Sequence, residues 1–346
     1  MTASAKKSLV MSSEEKGRIL HNCLANDQLE LIIFPTEKCN FRCTYCYEDF
    51  LIGRMRQEIR LGIKNLIAAR SPDLKLLNLS WFGGEPLQAF DVIDEIGSFA
   101  KDIAVKSEFE LAMHITTNAY RLSRERVLRL CELETKSFQI TLDGEENGHN
   151  KTRLRADGSG TFSQIWSNLL DIEKLYRSGA IGDCTVILRL HVHPKNIDSM
   201  MILSSMINDN FSPNIFSVMV HPISKLGGKN DKNMVIFSRE EVAYNVNIIK
   251  TALSRFISQS NDSTYVCYAT KANSFAIRAD GRIAKCTVAL NSEHNTIGYI
   301  TENGILDIDP RKFNAWLEPL STMNPADLGC PVNLVMRNAK ASLESV

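Results

Sequence analysis

Short apolar runs alternate with longer amphipathic stretches over most of this 346-residue chain. Apolar runs of strand length predict strands, and apolar residues that recur every three or four positions predict helices. Six such alternations predict parallel strands joined by right-handed crossovers. The predicted strands are Leu29–Pro35, Leu76–Phe82, Leu111–Thr116, Ser137–Leu142, Thr185–Val192 and Ile215–Val220, and the predicted helices are Gln57–Ala69, Leu87–Val105, Ser123–Glu134, Phe162–Tyr176, Ile197–Ile207 and Glu240–Ile257.

Six strand–helix units are fewer than the eight of a closed barrel, so we expect an α/β fold built on a partial (β/α)6 barrel. Its active residues are then expected at the carboxyl ends of the strands. Residues 1–28 are predicted to be a loosely ordered arm, residues 29–260 the barrel, and residues 261–346 a small cysteine-bearing appendage. Within the appendage we expect a hairpin over Phe275–Cys286, a turn at Asn303-Gly304, a helix near Pro310–Leu317 and an irregular tail.

The composition excludes several classes of protein. Forty basic residues balance forty acidic ones, so bulk charge does not attract the chain to nucleic acid or to anionic lipid. With 44% apolar and 23% charged residues, the composition is that of an ordinary globular protein. The longest apolar runs are only a few residues, and the polar N-terminus lacks the apolar core of a signal peptide. We therefore expect a cytoplasmic protein without a membrane span.

Nine cysteines are present, and three of them, Cys39, Cys43 and Cys46, follow the first predicted strand in a C-x3-C-x2-C pattern. An odd, clustered set of cysteines fits disulfide pairing poorly and is more typical of metal ligands. Zinc normally takes four ligands, and no fourth cysteine or histidine lies near. A [4Fe–4S] cluster can be held by three thiolates, which leaves one iron open. Zinc, or no metal at all, remains the alternative interpretation.

The motif Gly83-Gly84-Glu85-Pro86 ends the second predicted strand. Two glycines allow the backbone to approach a ligand closely, and a carboxylate can accept a hydrogen bond from an ammonium group. Together with the three cysteines and the aromatic Tyr45 before the last of them, this motif resembles the radical S-adenosylmethionine (SAM) superfamily. Taken alone, the motif would fit a simple turn equally well.

Weaker matches to the same superfamily follow at the ends of the third and fourth predicted strands. The pattern Thr-Asn-Gly of the family is matched by Thr117 and Asn118 but not by Ala119, so we expect no positive φ at Ala119. By the same resemblance, Thr141 would face the cofactor ribose and Asp143 would lie beside it. The resemblance to the peptide- and protein-modifying branch rests on His149-Asn150, Arg153 and Gly158-x-Gly160-Thr161-Phe162. Arg153 would pair with the cofactor carboxylate or, equally well, be a solvated loop residue.

The resemblance implies an enzyme with a defined chemistry. Three thiolates would hold a [4Fe–4S] cluster whose open iron binds the amino and carboxylate groups of SAM. An electron from an external one-electron reductant of the flavodoxin or ferredoxin type would cleave SAM to methionine and a 5′-deoxyadenosyl radical, which abstracts hydrogen from a substrate. The cofactors would carry this chemistry, and the barrel would orient and shield it. No general acid or base can be assigned from the sequence.

Cys267 and Cys286 bracket the predicted hairpin in a C-x13-G-x4-C pattern that resembles the opening of a SPASM or twitch module. Cys330 resembles part of the cysteine-rich end of that module, but Asp327, Met336 and Lys340 stand where further cysteines would be. The resemblance therefore implies one auxiliary iron–sulfur cluster on Cys267, Cys286 and Cys330, or a degenerate module that binds nothing. We predict that Cys131 packs in the core, and Cys23 and Cys184 have no ligand spacing. We interpret His191 and His193 as parts of a strand and its cap.

Three functions remain after these observations. The leading hypothesis is a radical SAM enzyme that modifies a peptide or protein side chain, with a leader peptide docked on the barrel or on a partner because the arm is short. The alternative is a radical SAM enzyme that acts on a small molecule, such as a nucleotide, amino acid or sugar, near an auxiliary cluster. The third is a non-catalytic cluster protein that relays electrons, and the Gly83–Pro86 motif argues against it.

Overall fold

The computed structural model describes residues 11–257 and 264–344, with side chains up to residue 338. Its first part repeats a strand–helix unit six times, as predicted, and most element ends agree with the prediction within a few residues. In chain order the elements are α1 (Ser13–Leu24), β1 (Gln28–Ile33), α2 (Gln57–Arg70), β2 (Leu76–Trp81), α3 (Phe90–Ser107), β3 (Glu110–Thr117), α4 (Arg124–Glu132), β4 (Thr135–Leu142), α5 (Glu146–Thr152), α6 (Phe162–Arg177), β5 (Thr185–Val192), α7 (Ile197–Asn210), β6 (Phe216–Pro222) and α8 (Arg239–Ala252).

The second part begins with short antiparallel strands and ends in helices. The predicted hairpin is confirmed, with Gly281 in the left-handed region at its turn, and Gly304 takes the same conformation in the next turn. The tail is helical, so the expectation of an irregular tail is wrong. The elements are β7 (Ser274–Ile277), β8 (Arg282–Ala284), β9 (Thr296–Ile300), β10 (Leu306–Ile308), α9 (Pro310–Leu317), α10 (Pro319–Thr322), α11 (Pro325–Gly329) and α12 (Val332–Glu344).

All ten described strands belong to one sheet in the order β10-β9-β8-β7-β1-β2-β3-β4-β5-β6. Strands β1 to β6 pair in parallel, as the crossover pattern predicts, and the sheet does not close on itself. This is the expected partial barrel. The cysteine-bearing part is less separate than expected, because β7 pairs in parallel with β1 and so extends the barrel sheet. The boundary predicted at residue 260 falls outside the described residues.

Alternation along the strands separates a packed outer face from a polar inner face. In β5 the side chains of Val186, Leu188 and Leu190 are buried against the helices, whereas Arg189 and His191 point to the inner side. Side chains on successive positions of a strand point to opposite faces, so one strand can serve both surfaces. The inner face of the barrel thus keeps polar groups at the carboxyl ends of its strands.

Helix α1 replaces most of the loosely ordered arm that we expected, although residues 1–10 lie outside the described part. Ser12 caps the helix by accepting a hydrogen bond from Glu15 N at 3.1 Å. The apolar face of α1 packs with Leu320 and Leu328 of the C-terminal part, and Cys23 lies within that cluster. Within the described ranges, no helix is both long and apolar enough to cross a bilayer.

Candidate functional site

The three clustered cysteines lie on a loop that leaves the carboxyl end of β1. The loop is hydrogen-bonded to the C-terminal end of α5 and to the segment that follows it, since Thr44 N donates to Thr152 O at 2.9 Å and Arg42 N donates to Leu154 O at 2.8 Å. Cys39, Cys43 and Cys46 all line one cavity of about 320 Å³. The sequence-predicted ligands are therefore brought to a common space at the end of the barrel where active residues were expected.

The thiols surround this space but do not converge on one point. Within the part of the chain that the structure describes, no three Cys, His, Asp or Glu side chains are gathered as a single metal ion requires. A [4Fe–4S] cube binds each thiolate at a different iron, so three thiols around a cavity fit it. Burial, followed by the neighbouring Cys43, raises the pKa of Cys46 to about 12, so loading a cluster must release protons.

Gly83 and Gly84 pack directly on the cysteine loop. Gly83 has φ +116°, and a Cβ there would lie 2.4 Å from the Thr36 carbonyl oxygen. A Cβ on Gly84 would lie 2.5 Å from the Lys38 carbonyl oxygen. Glycine is needed at both positions because any side chain would displace the loop backbone. Both glycines also line the cavity, so they join the loop to a surface that a ligand can approach.

Glu85 differs from the expectation that its carboxylate binds an ammonium group. The carboxylate is fully buried and lies outside the cavity lining, as does Pro86. It accepts hydrogen bonds from Thr117 Oγ1 at 2.7 Å, Asn118 N at 2.7 Å and Leu87 N at 3.0 Å. Glu85 therefore ties the end of β2 to the end of β3, and the cavity surface of the motif is its glycine backbone.

Thr117 and Asn118 line the cavity, and the residue after them corrects a prediction. Ala119 has φ +59°, although we expected no positive φ without a glycine. Its N–H donates to Thr117 Oγ1 at 3.0 Å, and its carbonyl accepts a hydrogen bond from Asn168 Nδ2 at 2.7 Å. These buried bonds hold alanine in a conformation that costs about 1–2 kcal/mol for a non-glycine residue.

Tyr45, Asp143 and Arg153 form a hydrogen-bonded chain beside the cysteine loop. Arg153 Nη1 donates to Tyr45 Oη at 2.8 Å, and Tyr45 Oη donates to Asp143 Oδ1 at 2.9 Å. Asp143 is fully buried behind the cavity wall, where it also accepts a hydrogen bond from Thr152 Oγ1 at 2.5 Å. Arg153 is 7% exposed and lines the cavity, so the solvated-loop interpretation of this arginine is wrong.

The motif between His149 and Phe162 serves to fix Arg153. The Arg153 backbone N–H donates to His149 O at 2.9 Å, and its carbonyl accepts from Thr161 Oγ1 at 2.6 Å. His149 Nε2 contacts the same Thr161 Oγ1 at 3.1 Å. Asn150 Oδ1 accepts hydrogen bonds from Thr161 N at 2.8 Å and Phe162 N at 3.1 Å. The motif thus positions one guanidinium group beside the cysteine loop.

Several polar residues in the cavity were not predicted. Thr141 was predicted and lines the cavity, and Gln139, Arg189, His191 and His221 line it too, on the inner faces of β4, β5 and β6. His191 was interpreted only as part of a strand. The alternation of polar and apolar residues in β5 could have predicted this position. Arg189 and His191 lie on one face of β5, the face that Thr141 shares in the neighbouring strand β4.

The predicted auxiliary ligands lie apart from this cavity but near one another. Cys267 and Cys286 flank the hairpin, and Cys330 follows α11, whose Leu328 carbonyl accepts from Cys267 N at 2.8 Å. Burial, with a further contribution from Cys286 and Cys330, raises the pKa of Cys267 to about 11. Thiols are donors suited to iron, but among the described residues these three are not gathered as a single metal site. Thr287 and Val288, which directly follow Cys286, line the main cavity.

Two contacts fasten the cysteine loop to the C-terminal part. Glu37 and Arg278 form a buried ion pair in which Nε donates at 3.0 Å and Nη2 at 2.5 Å. Tyr47 Oη, one residue beyond Cys46, donates to Thr287 O at 3.1 Å. The two groups of cysteines are therefore connected through short, well-packed contacts.

The cysteines without ligand spacing have packing roles. Cys184 is buried in the core, and the half-buried Cys131 packs against that core, as predicted. The Cys131 thiol lies within hydrogen-bonding range of Cys184, which raises the pKa of Cys131. His193 is buried behind the site, where its backbone N–H donates to Asn196 Oδ1 at 2.9 Å.

Comparison with known proteins gives the same assignment as the cysteine and glycine motifs. Residues 33–200 match the family described as the Radical SAM superfamily. The chain is 25% identical over 120 residues to the PqqA peptide cyclase of Bradyrhizobium diazoefficiens, covering 35% of this chain and 30% of that protein. It is 32% identical over 109 residues to the GTP 3′,8-cyclase of Photorhabdus laumondii, covering 31% of this chain and 32% of that protein.

These matches span about a third of each curated relative. A solved structure, native anSMEcpe with bound AdoMet and Kp18Cys peptide, is similar over 85% of this chain and 82% of that one, with a TM-score of 0.62 and 17% identity. At that identity the likeness establishes the fold. The matched segment, the cysteine loop and the partial barrel agree with one another, and residues 33–200 are similar to the radical SAM superfamily.

Proposed function

We propose that the chain is a radical SAM enzyme that cleaves SAM reductively and abstracts hydrogen from a peptide or protein side chain. The observation that carries this proposal is the shared cavity, in which Cys39, Cys43 and Cys46 face the Gly83-Gly84 backbone. A cluster bound to the three thiols would supply the electron that splits the sulfonium of SAM. The chain's own groups would bind and orient SAM and exclude water.

Seven of the ten predicted cofactor-binding residues support SAM binding because they line this cavity: Tyr45, Gly83, Gly84, Thr117, Asn118, Thr141 and Arg153. Arg153, fixed by the His149–Phe162 motif, is suited to pair with the SAM carboxylate. Glu85 and Asp143 would act through Thr117, Asn118 and Tyr45, which they hold by hydrogen bonds. Pro86 would support the glycine turn from behind.

A peptide substrate is favoured by the open side of the barrel. Met219 and His221 lie on the inner face of β6, the edge strand, yet both are exposed. An enclosed pocket for a small molecule would bury such positions, whereas an open side leaves room for an extended chain. The structural likeness to a protein with a bound peptide supports the same proposal.

We further propose one auxiliary cluster on Cys267, Cys286 and Cys330. With three thiols and no fourth cysteine in the set, one iron would be open to a ligand. This feature, with the partial similarity to a GTP cyclase, favours the second candidate, an enzyme acting on a small molecule. The nine free thiols of the chain support a reducing, cytoplasmic setting for either reaction.

The reductant is proposed to be an acidic one-electron carrier of the flavodoxin or ferredoxin type. A second cavity, of about 610 Å³, shares Cys43 and Cys46 with the first. Its lining includes Arg42, Lys195 and Lys229. A group of cations beside the cysteine loop would attract an acidic partner to the point nearest the cluster.

Anaerobic reconstitution with iron and sulfide, reduction and addition of SAM test the function. We expect methionine and 5′-deoxyadenosine to form, and to increase when the right peptide is supplied. Cys43→Ala should abolish both, whereas the matched Cys131→Ala should not. About eight irons per chain would support the auxiliary cluster and about four would contradict it. Failure of the reduced, iron-loaded chain to cleave SAM under any condition would overturn the proposal.

A further inference from the structure

The inner face of β5 carries a guanidinium group without an acidic partner. Arg189 lies level with Thr141 of β4 and Met219 of β6 and lines the main cavity. Its Nε donates to His191 Nε2 at 2.9 Å. Among the described residues, no carboxylate lies within ion-pair distance of Arg189, and its two Nη groups have no hydrogen-bond partner. Up to four N–H bonds therefore remain free to bind a ligand.

The other arginines near the site have oxygen acceptors. Arg278 is held by Glu37, and Arg153 donates to Tyr45 within the chain that ends on Asp143. Arg189 is partly exposed, and its guanidinium reaches the open space of the cavity. Burial lowers the pKa of Arg189, and the groups that oppose this shift are Tyr47 and Tyr45 rather than carboxylates. An arginine nevertheless stays charged in a protein. The cavity therefore holds a positive charge that no described side chain neutralises.

The groups around Arg189 add no negative charge. The rings of His191 and His221 lie 6.1 Å apart on the same wall. Partial burial of the ring, followed by the charge of Arg189, lowers the pKa of His221 to about 4, so this histidine is neutral at physiological pH. Glu48 is the one carboxyl group in the lining of the main cavity, and it makes no hydrogen bond or ion pair with Arg189. An anion entering the cavity would meet an unopposed guanidinium.

We propose that Arg189 binds a carboxylate carried by the substrate, so that the site selects an acidic side chain. The two Nη groups can donate one hydrogen bond to each oxygen of a carboxylate. The hydrogen bond from Nε to His191 fixes the plane of the guanidinium group. The SAM carboxylate is the other source of this chemistry. Arg153 is the guanidinium beside the cysteine loop and is the better placed of the two for SAM, which leaves Arg189 for the substrate.

The proposal rests on the proposed function, and matched probes separate the two. N-acetyl-L-glutamate and N-acetyl-L-glutamine are used with the α-carboxylate capped as an amide, so the two probes differ only in the charge of the side-chain end. Anaerobic titration calorimetry of the iron-loaded chain with SAM present would give the Kd of each probe. We expect the acid to bind at least about tenfold more tightly than the amide, as is typical of a charge-assisted pair. In Arg189→Gln, the ratio of the Kd of the amide probe to the Kd of the acid probe should fall to about one, while the Kd of SAM stays unchanged.

Two controls keep the test decisive. Arg124→Gln removes an exposed arginine on α4, remote from the cavity lining, and should leave the ratio as in the wild type. If Arg189→Gln fails to load iron, Arg189→Lys must lower the ratio several-fold, because lysine keeps the charge but loses the fork. An unchanged ratio in that variant would overturn the proposal.

Three results would contradict the inference. These are a wild-type chain without preference for the acid, a preference that survives in Arg189→Gln, and a variant that loses affinity for SAM rather than for the acid. The last result would assign Arg189 to the SAM carboxylate. A wild-type chain that forms 5′-deoxyadenosine but shows no preference refutes this inference alone, whereas no 5′-deoxyadenosine refutes the proposed function.

Discussion

One methyl group added at Gly84 tests whether the glycine motif and the cysteine loop act as one unit. In Gly84→Ala, the new Cβ would lie 2.5 Å from Lys38 O, 2.6 Å from Lys38 C and 2.7 Å from Glu37 O. These are backbone atoms, so no side-chain rotation relieves the contact. The loop must move by about 1 Å to restore van der Waals distances. Cys39, the next residue along the loop, has to move with it.

The magnitude follows from the kind of contact. Overpacking by one methyl group in a well-packed region costs about 1–3 kcal/mol. The loop is also held by Glu85 N, which donates to Lys38 O at 3.0 Å, so its displacement strains that bond. We therefore expect Gly84→Ala to lower the free energy of unfolding by about 1–3 kcal/mol and to reduce both iron loading and SAM cleavage.

Gly53→Ala is the matched control, because a Cβ there meets no atom within 4 Å. Urea unfolding, iron and sulfide content, and 5′-deoxyadenosine formation would be measured side by side for both variants. Gly53→Ala should change stability by less than about 0.5 kcal/mol. The reasoning is refuted if Gly84→Ala binds as much iron and cleaves SAM as fast as Gly53→Ala.

Three further changes probe two buried charged groups and one titratable group of the cavity wall. Glu85→Gln replaces a carboxylate that accepts a hydrogen bond from Thr117 and should lower the free energy of unfolding in urea by about 2–3 kcal/mol. An unfolding midpoint equal to that of the wild type would contradict this role of Glu85. Arg278→Met leaves Glu37 buried and unpaired, which should cost about 3–5 kcal/mol, and adding Glu37→Gln should recover part of that loss. Partial burial and the neighbouring Arg189 lower the pKa of His221 from 6.5 to about 4, so the unfolded chain takes up this proton first as the pH falls, and stability drops over that window. His221→Asn should therefore lose less stability between pH 6.5 and pH 4 than the wild type, and equal losses in thermal unfolding would exclude this contribution.

Periodicity and motif spacing were enough to predict the barrel and the cysteine loop. Short apolar runs predict the buried strands, and apolar residues at every third or fourth position predict the helices that pack on them. Three cysteines within eight residues must lie on one short loop. The sequence could not reveal that β7 pairs with β1, because this contact joins residues more than 240 positions apart. Helix α1 was missed for a related reason, since its apolar face gains its partners, Leu320 and Leu328, only in the folded chain.

The site residues divide in the same way. Gly83 and Gly84 could be found because a close approach of two backbones demands glycine. The direction in which Glu85 points depends on donors from another strand, and no local pattern encodes that direction. Ala119 was mispredicted because buried hydrogen bonds override a local preference against positive φ. Arg189 and His191 were overlooked because a polar residue on an otherwise apolar strand signals a cavity only when neighbouring strands are known.

Strand β1 has neighbours on both sides, β2 and β7, and this has a consequence for dividing the molecule. A barrel fragment ending before residue 264 would expose the backbone N–H and C=O groups of β1 along a bare edge. Such an edge invites pairing with a second copy of the fragment. The same truncation would remove Arg278 and leave Glu37, at the start of the cysteine loop, without its ion-pair partner. The fragment should therefore aggregate and bind less iron than the whole chain, so that the proposed cluster site depends on residues from the C-terminal part.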